Sequence, residues 1–220
     1  AFVDGHWNYF ASSGAMKTGW IKDQDTWYYL DKDGIMLTGK QDINGVRYYL
    51  NASGAMQTGW KWLENHWYYY ANSGAMQTGW QWLDKHWYYY ADSGAMKTGW
   101  IKDKGIWYYL NPEDGIMLVG LHKVNGDHYY FDESGAMQTG WKRLDGNWYY
   151  FQADGSLLKN ATTPDGYKVN EEGIWRQAVA TVNSDAVKPE QKQEANSSSA
   201  EQPKQDSNLE ANTSDKKEKE

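Results

Sequence analysis

The stretch Gly19-Trp20-Ile21-Lys22-Asp23-Gln24-Asp25-Thr26-Trp27-Tyr28-Tyr29-Leu30 decides the fold. Two short aromatic-rich runs flank a polar pair, which is the pattern of a β-hairpin. Three sister units spell the turn out as Asn44-Gly45, Asn125-Gly126 and Asp145-Gly146. Such pairs favour type I′ turns, because both central residues need positive φ. Placing residues 24 and 25 at the tip sets Lys22 opposite Trp27 and Trp20 opposite Tyr29. Side chains alternate between the faces of a strand. Trp20, Trp27 and Tyr29 therefore share one face, and Ile21, Tyr28 and Leu30 the other. The second face reads as core, and the first carries the rings.

Working outward, the same unit recurs. Trp-Tyr-Tyr stands at Trp27, Trp67, Trp87, Trp107 and Trp148, with Trp7-Asn8-Tyr9, Arg47-Tyr48-Tyr49 and His128-Tyr129-Tyr130 completing the series. The step is 20 residues, one longer around Pro112, and all seven Met fall on the same grid. A lone hairpin is marginally stable in water, whereas stacked ones bury a continuous core. The expected fold is all-β, a β-solenoid of seven stacked hairpins plus an incomplete first one. Residues 1–156 form the solenoid. Residues 157–175 lack Trp-Tyr-Tyr, carry Pro164-Asp165-Gly166 and end in Gly173-Ile174-Trp175, so they read as a terminal cap. Residues 176–220 contain no aromatic side chain and are rich in Gln, Glu, Lys and Ser. That composition predicts a disordered linker or tail beyond a short helix around 176–182.

The chain has 220 residues with 14 Trp, 18 Tyr, 4 Phe and no Cys. Its buried surface must come largely from amphipathic rings. Zero Cys excludes disulfides and thiolate chemistry. A net charge of −7 argues against a nucleic-acid partner, and no run approaches the length of a membrane span. No signal segment is visible and Ala1 opens inside a repeat, as in a mature or excised fragment. His66 and His86 each precede a repeat Trp, which places them near hairpin turns. No His/carboxylate constellation stands apart from the repeat. The chain reads as non-catalytic, with no cofactor and no metal; any catalytic domain of a parent protein would lie outside it.

A cation over a Trp or Tyr face gains about 0.5–2 kcal/mol, and quaternary ammonium groups are the usual occupants of such cages. Weak sites in a row would gain avidity on a polymer bearing many copies. The pattern Thr-Gly-Trp, six residues, Trp-Tyr-Tyr, then Gly-x-Met resembles the choline-binding repeats of Gram-positive surface proteins, over residues 1 to about 155. The resemblance implies a solenoid of hairpins secreted to the bacterial surface and attached to the cell wall. It implies choline, as phosphocholine of teichoic acids, held by two Trp of one repeat and a Tyr of the next, often near a Met. It also implies weak self-association through terminal hairpins.

Carried onto this sequence, the resemblance implies four complete sites. They are Trp20, Trp27, Tyr49 and Met36; Trp60, Trp67, Tyr89 and Met76; Trp80, Trp87, Tyr109 and Met96; and Trp100, Trp107, Tyr130 and Met117. The second Tyr of each pair is chosen because it shares a face with the Trp residues. The first (Tyr48, Tyr88, Tyr108, Tyr129) is the alternative. Trp141 and Trp148 are further choline-binding candidates without a clear following Tyr, since the cap offers only Tyr167, and Trp7 with Tyr29 makes a half site. Two hairpins depart from the pattern, with Lys40 and Arg47 in one and Leu121 and His128 in the other where the Trp residues belong. Trp62 and Trp82 are additional, opposite Trp67 and Trp87. The rival reading is a glucan-binding repeat module, because aromatic faces also stack on sugars. A stand-alone adhesin anchored by the repeats is a further one.

Overall fold

The computed structural model describes residues 1–176, so the readings for the tail beyond Arg176 lie outside the described residues. The described chain is all-β. A two-residue pair, β1 (Phe2–Val3) with β2 (His6–Trp7), precedes seven hairpins of five-residue strands. These are β3 (Gly19–Asp23) with β4 (Thr26–Leu30), β5 (Gly39–Ile43) with β6 (Val46–Leu50), β7 (Gly59–Leu63) with β8 (His66–Tyr70), and β9 (Gly79–Leu83) with β10 (His86–Tyr90). Then come β11 (Gly99–Asp103) with β12 (Ile106–Leu110), β13 (Gly120–Val124) with β14 (Asp127–Phe131), and β15 (Gly140–Leu144) with β16 (Asn147–Phe151). The chain groups into two units, Ala1–Leu83 with Trp87–Lys97, and Asp84–His86 with Thr98 onward.

The hairpin register is the one the turn dictates, with Trp20 opposite Tyr29 and Lys22 opposite Trp27. Asn44 and Gly45 at the β5–β6 tip have φ of 54° and 79°, as a type I′ turn requires. Gln24–Asp25, Glu64–Asn65 and Asp84–Lys85 hold the same conformation without glycine.

Successive repeats are stitched through the loops. Met36 forms a bridge with Leu30 of its own hairpin, while its amide donates to the Trp7 carbonyl of the preceding one at 2.9 Å. Met56 to Trp27, Met76 to Arg47 and Met96 to Trp67 repeat the bond at 2.8 Å in the first unit, as do Met137 to Trp107 and Leu157 to His128 in the second. The methionine side chains form a second ladder. The Met36 sulfur lies where a Cβ on Gly54 would be, and Met56 sits likewise on Gly74 and Met137 on Gly155. A bare Cα at φ +81° lets the thioether pack against the backbone at Gly54.

The core lies between hairpins. The last residue of each hairpin is fully buried: Leu30, Leu50, Tyr70 and Tyr90 in the first unit, Leu110, Phe131 and Phe151 in the second. Within each unit the ring-bearing face of one hairpin packs on the Leu30-type face of the next. Tyr49 meets Tyr70 at 6.2 Å, and Tyr109 and Trp100 meet Phe131 at 6.5 and 5.8 Å. At the end, residues 157–175 add β17 (Ala161–Thr162), β18 (Lys168–Val169) and β19 (Ile174–Trp175) to the last hairpin, in the order β15-β16-β19-β18-β17.

Candidate functional site

Each full repeat holds its two Trp rings at a right angle. The centroids of Trp20 and Trp27 are 6.3 Å apart at 88°, and those of Trp60 and Trp67 6.2 Å apart at 89°. Trp80 with Trp87 (6.4 Å, 89°), Trp100 with Trp107 (6.2 Å, 88°) and Trp141 with Trp148 (6.4 Å, 86°) repeat that corner. The first Trp of each pair is braced within its hairpin by the tyrosine opposite, as Trp20 is by Tyr29 at 5.1 Å. The second stays open in three of the pairs, with Trp27, Trp67 and Trp107 at 41%, 41% and 40% exposure, whereas Trp148 is half-buried and Trp87 buried.

The third ring comes from the next hairpin, and it is the first tyrosine of the pair. Trp20 meets Tyr48 at 4.8 Å, Trp60 meets Tyr88 at 5.0 Å, and Trp100 meets Tyr129 at 4.9 Å. Tyr49, Tyr89 and Tyr130 instead turn toward Tyr70, Trp80 and Phe151, at 6.2, 5.1 and 6.1 Å. Tyr109 packs on Trp100 at 5.0 Å. The physical reason is the stacking. A corner on one face of a hairpin meets the opposite face of its successor, and alternation puts the first tyrosine there.

At Trp20 this geometry forms an open cavity of about 270 Å³ lined by Trp20, Trp27, Tyr48, Met56, Asn72 and Ser73. Pockets for drug-sized ligands run from ~300 Å³ upward, so the space suits a smaller group. No carboxylate lines it, and the loop two repeats on adds the amide of Asn72 and the hydroxyl of Ser73 to the lining. The methionine is Met56, one repeat after the expected Met36, whose sulfur lies on Gly54. Met76 lies on Gly94 and Met117 on Gly135, while the Met96 amide bonds to the Trp67 carbonyl.

Trp141 meets Tyr167 at 5.7 Å and Trp175 at 6.4 Å, and its indole N–H donates to the Asp165 carboxylate at 2.8 Å. Tyr167 is the one tyrosine that the cap sequence offers there, and Trp175 falls outside the Trp-Tyr-Tyr spacing. Sequence reading did not find Asn72 and Ser73, since small loop residues carry no chemical mark of their own. Trp62 lies against Trp67 at 5.3 Å and Trp82 against Trp87 at 5.3 Å, at the rims of their corners. Phe2 stands to Trp7 in the same way, at 5.4 Å. His66 and His86 bond through Nδ1 to the turn carbonyls of Glu64 and Asp84 at 2.8 and 2.9 Å, exposed.

A choline-binding repeat family model matches residues 2–40, 37–78, 77–120 and 118–161. The chain belongs to the choline-binding repeat family. Among solved structures it resembles CbpJ from Streptococcus pneumoniae TIGR4, with 41% identity and a TM-score of 0.73 over 77% of this chain and 61% of that one. Choline-binding protein F from Streptococcus pneumoniae, solved in the presence of a peptidoglycan analogue, is 39% identical over 77% of this chain and 61% of that one, with a TM-score of 0.72. The choline-binding domain of CbpL from Streptococcus pneumoniae is 29% identical, matched over its whole length and 74% of this chain, with a TM-score of 0.53. No curated protein matches. The chain spans about three-fifths of the CbpJ and protein F chains, 61% of each. Within each unit the choline-binding repeats form all-β hairpins whose aromatic corners at Trp20, Trp60 and Trp100 face the next hairpin.

Proposed function

We propose that this choline-binding repeat module attaches its parent protein to a bacterial cell wall by seating the trimethylammonium group of choline, carried as phosphocholine on teichoic acid, in the aromatic corners. The cavity at Trp20, Trp27, Tyr48 and Met56 carries the reading. Trimethylammonium has no N–H to donate, so a carboxylate offers it no hydrogen bond. Ring faces and a polarizable thioether match its methyl-covered charge, at about 0.5–2 kcal/mol per ring. Two or three rings give a millimolar site, about −4 kcal/mol, and several such sites on one polymer multiply by avidity. The sites proposed are Trp20/Trp27/Tyr48, Trp60/Trp67/Tyr88 and Trp100/Trp107/Tyr129, with Trp80/Trp87 and Trp141/Trp148 as further corners. The module is non-catalytic and acts at the cell surface.

The Trp20 cavity is walled mainly by three rings and a thioether, with no carboxylate in its lining, which suits a methylated ammonium held by ring faces. The deciding experiment is sedimentation of the protein with purified walls that carry phosphocholine and with walls grown without it. Binding confined to the former and displaced by millimolar free choline supports the reading. Equal binding to both, or displacement by a dextran oligosaccharide alone, removes it.

A further inference from the structure

The hairpin formed by β5 and β6 breaks the pattern with two cations, and both reach positions that match, one repeat on, the lining of the Trp20 cavity. Lys40 stands where Trp20 stands one repeat earlier, and Arg47 where Trp27 stands. In the Trp20 cavity the far wall is Tyr48, and the loop residues are Asn72 and Ser73. Twenty residues on, those positions are Tyr68, Asp92 and Ser93. The Lys40 ammonium lies 4.3 Å from the centre of the Tyr68 ring. It donates to the Tyr68 hydroxyl at 3.2 Å and to the Glu64 carboxylate at 2.7 Å. The Arg47 guanidinium donates to the Asp92 carbonyl. Tyr68 is only 5% exposed, whereas Tyr48 at the open cavity is half-buried.

We propose that the Gly39–Leu50 hairpin carries a self-occupied version of the cavity, in which the Lys40 ammonium takes the place of an external cation over Tyr68 and Arg47 ties the corner shut to the loop at Asp92. This step of the stack is then held without ligand. The comparison with open corners rests on the reading above, but the clasp itself does not require it. A primary ammonium suits the filled version for a chemical reason. It has N–H groups for Glu64 and the Tyr68 hydroxyl, which a trimethylammonium lacks. Burial works against the charge on Lys40, yet the hydrogen bonds to Glu64 and Tyr68 prevail and raise its pKa.

The test uses the full chain, with choline as the probe, in wild type, Lys40→Met and Lys40→Trp/Arg47→Trp. Lys40→Met keeps the stem and removes the charge. In choline-free buffer it should melt about 2–4 °C lower, with the Tyr68 ring signals shifted in NMR spectra. The double variant should bind one more equivalent of choline at saturation than wild type in equilibrium dialysis. An unchanged choline-free melt for Lys40→Met overturns the proposal, as does a folded double variant with no added equivalent. Should the double variant fail to fold, the Lys40→Met melt decides. A wild type that binds no choline would sink the attachment reading and leave that choline-free melt as the measure of the clasp.

Discussion

Trp60 and Tyr88 meet ring to ring at 5.0 Å although they stand on opposite faces of successive hairpins. Tyr89, on the same face as Trp80, braces that ring within its own hairpin at 5.1 Å. The two adjacent tyrosines therefore have separate tasks. Tyr88→Ala should weaken choline at the Trp60–Trp67 corner by roughly 3- to 30-fold, the worth of one cation–π face. Tyr89→Ala should chiefly lower the melting temperature. Titration followed at the Trp67 indole resonance separates them, and equal affinity loss in both variants would contradict the assignment.

Tyr70 and Tyr90 fill the position held elsewhere by Leu or Phe, and their hydroxyls are buried with no hydrogen-bond partner among the described residues. An unsatisfied buried polar group costs about 1–3 kcal/mol. Tyr70→Phe and Tyr90→Phe should each stabilise the fold by about 1 kcal/mol or more, measured by denaturant midpoint.

The same two groups set an alkaline limit. Burial pushes the Tyr70 phenol up from 10.0 to about 12, although Lys40 pulls the other way, and burial raises Tyr90 as well. The folded state thus holds protons that the unfolded chain releases. Its stability from this source is complete below pH ~10 and falls as pH rises through about 12. Wild type should lose stability between those values, and the double Phe variant should lose less. Parallel curves for the two would refute the linkage.

Gly54 and Gly45 share a positive φ, 81° and 79°, but a Cβ at Gly54 collides with the Met36 side chain while one at Gly45 meets nothing within 4 Å. Both Ala variants bear a left-handed backbone cost of about 1–2 kcal/mol. Gly54→Ala should be the more destabilising in thermal unfolding, because the methionine ladder must also shift. At the β9–β10 tip the strain runs the other way. Lys85 sits at φ 67°, so Lys85→Gly should raise the melting temperature by about 2–4 °C.

The hairpin, its register and the repeat were legible because Asn-Gly turns and two-residue alternation act locally. The tyrosine that meets Trp20, Trp60 or Trp100 from the next hairpin was not. Trp20 and Tyr49 share a face on paper, but sharing a face in separate hairpins is not contact. Stacking apposes unlike faces, and only the three-dimensional step of the repeat shows that. The same step carries the Met36 sulfur forward to Gly54 and brings Met56 to the Trp20 cavity. Lys40 and Arg47 read as blanks in the Trp grid because their partners, Tyr68 and Asp92, lie 28 and 45 residues away.

The central claim is that these corners recognise a methylated cation through ring faces. The most direct measurement is thermal unfolding against increasing choline, ethanolamine and sodium chloride at matched ionic strength. A ligand at ten times its Kd adds about 1.4 kcal/mol per site to native stability. The account predicts a progressive rise with choline, little with ethanolamine or sodium chloride, and a smaller rise in Trp27→Ala/Trp67→Ala. Equal rises with choline and ethanolamine, or no rise with choline, would contradict it.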